Sequence, residues 1–172
     1  MEKKISEINI GDIVALGYRD AYCWYEGEDS EGFDDNIVCM ALGEVVRFDN
    51  DNLILSFVKK EGKPETGLLI PIISIIEDVP TRKIFEVKKE VIGKTAGIFW
   101  KDISIFYDNK IPNESPKMYT EGVIENISDN YLTVSNPTTL KTKEGVVENH
   151  PKIQPLVYRI PRSLITNIEI HG

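Results

Sequence analysis

Two short phrases of this sequence bring together aromatic rings, a cation and a carboxylate. Tyr18-Arg19-Asp20 is followed by Trp24-Tyr25, and Trp100-Lys101-Asp102 by Phe106-Tyr107. Ring faces carry negative potential, so such a set beside a carboxylate can cage a cationic side chain. The same residues also suit a plainer task, in which the aromatics fill a core and the Asp caps a tight turn. A set kept at two places in one chain favours the plainer task, since a fold requirement recurs more readily than a site. The candidate pocket comprises Tyr18, Asp20, Trp24, Tyr25, Trp100, Asp102, Phe106 and Tyr107.

The second constellation is acidic. Glu26, Glu28, Asp29, Glu31, Asp34 and Asp35 crowd one turn-rich stretch, whereas the corresponding stretch from Asp108 to Lys117 is neutral. The whole chain of 172 residues has a net charge of −8. Residues 1–86 carry nine Lys/Arg against eighteen Asp/Glu, and residues 87–172 carry eleven against ten. An acidic face repels phosphate backbones and favours a basic partner. Glu28, Asp29, Glu31, Asp34 and Asp35 are therefore the candidate partner-binding residues, with a solubilising charge run as the plainer reading. A basic counterpart lies in the second half, where Lys141, Lys143 and Lys152 are the candidates for contact with RNA.

Catalytic chemistry finds little footing. His150 and His171 have no Cys or carboxylate at metal-ligand spacing. Cys23 and Cys39 sit among apolar and aromatic neighbours and read as reduced core residues. There is no Gly-rich phosphate loop, and Gly32 lacks the Glu six residues on that a calcium loop needs. No enzyme activity, no cofactor and no metal site is expected. No run of eighteen apolar residues is present and Met1 to Ser6 lacks an apolar leader core, so the expectation is a cytoplasmic protein without a membrane span.

The elements that must position these residues are strands. Ile10-Gly11-Asp12 to Asp20 aligns with Ile92-Gly93-Lys94 to Asp102 at a constant offset of 82. Gly43-Glu44-Val45-Val46 aligns with Gly122-Val123-Ile124-Glu125 at 79, and Leu53 to Ser56 with Leu132 to Ser135. Each copy closes on an Ile-Pro pair, Ile70-Pro71 and Ile160-Pro161. Self-similarity at fixed spacing predicts two copies of one small unit. Short apolar and β-branched runs broken by Gly, Asn and Asp predict strands throughout, with a bend at Gly43. The expected fold is all-β: two tandem five-stranded barrels related by internal duplication. The first spans 1–80 and the second 92–172, joined by a packed connector at 81–91, with an insertion at 137–154 that only the second copy has. Leu16, Val45, Leu53, Leu55, Ile98, Ile124, Leu132 and Val134 are the expected core.

The stretch from Gly43 through Asp49 and Asn52 to Leu55 resembles the first motif of the Sm-like family, and the opening Ile10-Gly11-Asp12-Ile13-Val14 is similar to Src-homology-3-like and Tudor-like barrels. The resemblance implies a small curved barrel. In Sm-like proteins the Asp and Asn of this motif join an Arg of a second motif to hold uridine. Here the second copy has Ser128 in place of the Asp, and Ile70-Pro71 and Ile160-Pro161 stand where the second motif belongs.

The function expected from these residues is a non-enzymatic intracellular binding or adaptor protein that meets a basic protein surface through its acidic first barrel. One alternative is an Sm-like RNA-binding protein acting through the second barrel. Another is an acidic inhibitor or immunity-type protein that occupies a basic site on its partner.

Overall fold

The computed structural model describes residues 5–24, 38–76, 85–143, 146–149 and 157–171. Within these, side-chain surroundings are described except at 22–24, 136, 138–143 and 146–149. The described residues form twelve strands and three single 3₁₀ turns, with no α-helix. None of their helices is long and apolar enough to cross a membrane. The strands are β1 (Ile13–Tyr18), β2 (Tyr22–Trp24), β3 (Cys39–Phe48), β4 (Asn52–Lys60), β5 (Lys63–Pro71), β6 (Thr95–Lys101), β7 (Ser104–Phe106), β8 (Lys117–Ile127), β9 (Tyr131–Lys143), β10 (Val146–Asn149), β11 (Val157–Pro161) and β12 (Ile165–Ile170).

Local chemistry fixes the hairpins. Between β4 and β5 the two-residue loop Glu61-Gly62 has φ of 51° and 76°. Positive φ at both loop residues matches the twist of the flanking strands, and Gly adopts it without steric cost. Between β3 and β4 the Asp49 Oδ1 accepts from the N–H groups of Asp51 (2.9 Å) and Asn52 (2.8 Å). These bonds hold its carboxyl below the usual carboxylate range, the Asp51 N–H first. In the β8–β9 turn Ser128 takes that place, its Oγ accepting from the Tyr131 N–H at 3.0 Å.

Two antiparallel sheets result. One has the order β1-β3-β4-β5-β7 and the other β12-β6-β8-β9-β11-β2, with β10 added beside β9. The expected barrels are corrected here: both sheets are open. Barrel closure needs a ladder between the first and last strands. Each path instead ends on a three-residue strand, β7 or β2, that pairs on one side only. The insertion expected at 137–154 is in part an extended hairpin, since β9 runs on to Lys143 and pairs with β10.

Several contacts take similar forms in the two sheets. The β3–β4 ladder shifts register between Val45 and Arg47, and the β8–β9 ladder between Ile124 and Asn126. Gly11 N–H donates to Val45 O at 2.8 Å, and Gly93 N–H to Ile124 O at 2.8 Å. Arg19 N–H donates to Ser74 O at 2.9 Å, and Lys101 N–H to Leu164 O at 3.0 Å. The Tyr18–Ile75 bridge corresponds to the Trp100–Ile165 pair that opens β12.

The compact units do not follow the two linear halves. One comprises Met1–Arg19, Val38–Thr81 and Asp102–Ser115; the other comprises Asp20–Ile37, Arg82–Lys101 and Pro116–Gly172. The first unit's main core gathers Val14, Leu16, Val45, Leu53, Leu55 and Ile70. The second gathers Ile98, Trp100, Ile124, Leu132, Val134 and Ile160. All eight expected core residues are buried. Burying each such side chain contributes about 1.5–3 kcal/mol. On the other face of the first sheet Ile54, Leu69 and Phe106 form a further buried cluster with Val46 and Ile111 against it. From the connector, Phe85, Val87 and Val91 pack on the second core.

Candidate functional site

The described members of the repeated aromatic–Asp set lie in different surroundings. Tyr18 is buried in the first core and Trp100 in the second, where its indole N–H donates to Thr120 Oγ1 at 3.0 Å. Asp20 Oδ1 accepts from the Ala21 N–H at 2.8 Å, and Asp102 Oδ1 from the Ile103 N–H at 2.8 Å. Both carboxylates therefore shape the turn that ends a strand. Burial pushes the Asp20 carboxyl up to about 6, against the lowering effect of the Ala21 N–H. Phe106 is buried and Tyr107 is exposed. The set is also divided between units, because Tyr18 belongs with the first and Asp20 with the second, while Trp100 belongs with the second and Asp102 with the first. Trp24 lies in β2, and Tyr25 lies outside the described residues.

The proposed partner-binding acids Glu28, Asp29, Glu31, Asp34 and Asp35 also lie outside the described residues, as does Lys152. Lys141 and Lys143 are in β9. Asp49 and Asn52 have structural roles. Asp49 caps its turn, and buried Asn52 receives the Ser115 hydroxyl on Oδ1 at 2.6 Å.

A different site emerges on the outer face of β12, β6 and β8. Register places Asn167, Phe99 and Tyr119 in one row and Glu169, Gly97 and Glu121 in the next. Residues directly opposite one another share a face. The Phe99 and Tyr119 rings are 4.9 Å apart and inclined at 57°. Gly97 leaves room for Tyr119 to lie across the sheet: a Cβ there would meet the Tyr119 hydroxyl at 2.5 Å. That hydroxyl donates to Glu121 Oε2 at 3.2 Å, and His171 Nδ1 stands 3.3 Å from Glu121 Oε1. Asn167 Nδ2 donates to Glu169 Oε1 at 3.3 Å. Partial burial first, then the charges of Glu121 and Glu169, raise the Tyr119 hydroxyl above its ordinary range.

Ionised carboxylates only accept hydrogen bonds, and ring faces attract cations. The arrangement suits a guanidinium or ammonium group. Lys101 and Lys117, paired across β6 and β8, continue the same rows at the opposite end of the strip. Charge therefore runs from basic through aromatic to acidic along the face. At the positions that align with Tyr119 and Glu121 the first sheet has apolar residues instead, Met40 and Leu42, which are 69% and 67% exposed.

No family model matches the chain, and neither a curated protein nor a solved structure is similar to it. The sequence reading missed Phe99, Tyr119, Glu121, Glu169 and His171. The signal lay in the alternation Lys117-Met118-Tyr119-Thr120-Glu121, whose second and fourth members are buried. Its partners on β6 and β12 are up to fifty residues away in sequence.

Proposed function

We propose that this protein is a non-enzymatic binding module, built by duplication of one small β unit, that holds a basic partner on the outer face of β12, β6 and β8. The observation that carries this reading is Tyr119 laid over Gly97, with the carboxylates of Glu121 and Glu169 beside it. A cationic side chain placed there meets a ring face and two charges at once, and a net charge of −8 assists its approach. Lys101 and Lys117 orient an extended partner, because its acidic residues are drawn to their end of the strip. The acidic run from Glu28 to Asp35 would extend the attraction for a basic protein surface.

The test is calorimetric titration with an arginine-rich peptide at low salt. Glu121→Gln/Glu169→Gln should weaken binding several-fold, since both carboxylates are solvent-accessible and an exposed ion pair contributes about 0.2–1 kcal/mol. The control Glu7→Gln/Glu61→Gln changes net charge equally at exposed positions outside these strands and should have little effect. Equal losses from the two pairs would reduce the interaction to general attraction by an acidic chain.

A further inference from the structure

Each sheet is finished by a strand from the other half of the sequence. β7, from the second half, pairs with β5 through Gly67–Phe106, Leu68–Ile105 and Leu69–Ser104. β2, from the first half, pairs with β11 through Val157–Trp24, Tyr158–Cys23 and Arg159–Tyr22. Shifting the lending strand by 82 and the receiving strand by 90 converts the first set of pairs into the second. The exchange is therefore reciprocal and keeps one register.

We infer that the chain is a strand-exchanged pair within one polypeptide, in which each half is an incomplete sheet whose fitting partner is the other half. The receiving surface in the first unit is well defined. Phe106 seats against Ile54 and Leu69, with Val46 and Ile111 beside them. Arg47 Nη2 donates to the carbonyls of Pro112 (3.0 Å) and Asn113 (2.9 Å). Ser115 Oγ donates to the buried Asn52, and the Asn109 N–H to Glu65 O at 3.4 Å. The whole arm from Asp102 to Ser115 is thus held along its length by first-half residues. Asp20 and Asp102, each capping the residue that follows, mark the two points where the chain leaves one sheet for the other. Exchange of identical elements between two copies is a low-cost route to a dimer, because each contact is the one a closed copy would make. Here a single chain supplies both copies. Neither half keeps a full sheet without the other, so the two unfold together.

The test cuts the folded full-length chain at a protease site inserted between Val79 and Arg82, leaving both pieces in solution. The pieces should co-elute one to one and separate only on unfolding. Phe106→Ala in the second piece should weaken their association about a hundred-fold or more, given the usual cost of removing a buried Phe side chain. In a second sample Leu68→Cys and Ile105→Cys, with Cys23→Ser and Cys39→Ser, are oxidised after cutting. A single covalent product on a denaturing gel is expected, since these residues face one another on β5 and β7. Pieces that part on cutting, or that stay associated yet do not cross-link, would overturn the inference. The second result would mean self-contained halves held by surface packing.

Discussion

The ring of Phe106 occupies the space that a side chain at residue 67 would need, its Cζ standing 2.6 Å from where a Cβ on Gly67 would lie. The Leu55 carbonyl oxygen would be closer still, at 1.9 Å. A backbone atom in the middle of a sheet cannot swing aside as a flexible side chain can. Gly67→Ala should therefore destabilise the protein by about 1–3 kcal/mol or more, the usual penalty for overpacking. Chemical denaturation of the variant reads this directly. A midpoint equal to that of the wild type would mean that β5 does not approach β4 and β7 as closely as described.

Asp20 predicts a pH dependence with a definite sign. Its carboxyl is raised from 3.8 to about 6 by burial, so the native state binds this proton more tightly than the unfolded chain does. The stability it contributes is complete below about pH 4 and is lost as pH rises through about 6. Asp20→Asn keeps an oxygen to receive the Ala21 N–H and removes the charge. The variant should exceed the wild type in stability by up to about 3 kcal/mol at pH 8, and match it near pH 4. Thermal melts across that range test this; parallel curves for the two proteins would contradict it.

The Trp100–Thr120 hydrogen bond lies in the second core, where both residues are at most 1% exposed. Thr120→Val preserves shape and removes the acceptor, leaving the indole N–H buried without it. The expected loss is about 1–3 kcal/mol. Denaturation monitored by far-ultraviolet dichroism reads it, and an unshifted midpoint would show that the indole finds another acceptor.

Leu53 and Leu132 hold corresponding places in the two cores and are fully buried. Truncation of either to Ala should cost roughly 2–5 kcal/mol. Equilibrium unfolding of each variant is the check. A near-neutral result at either position would contradict the strand register that turns it inward.

Much of the local architecture was legible before any coordinate. Strand alternation placed Leu53, Leu55, Leu132 and Val134 inward because side chains on a strand alternate between faces. The run of Asp and Asn from Asp49 to Asn52 breaks the apolar pattern where the β3–β4 turn lies, because turn chemistry acts over a few residues. Val45 and Ile124, aligned in the sequence at an offset of 79, each stand at a register shift of their ladder. What the sequence could not carry was the destination of β2 and β7. Each is three residues long, and its own composition does not distinguish the edge of β5 from the edge of β11. That choice depends on distant partners, such as the space over Gly67 that receives Phe106 and the hold of Arg47 on Pro112 and Asn113. The aromatic–acidic face is decided in the same way. Phe99, Tyr119 and Glu169 become neighbours only when β12, β6 and β8 pair in register, and Gly97 matters only because Tyr119 then lies across it. Periodicity and turn residues act locally and are written in the chain; strand partnership is a balance of long-range contacts that only the folded sheets reveal.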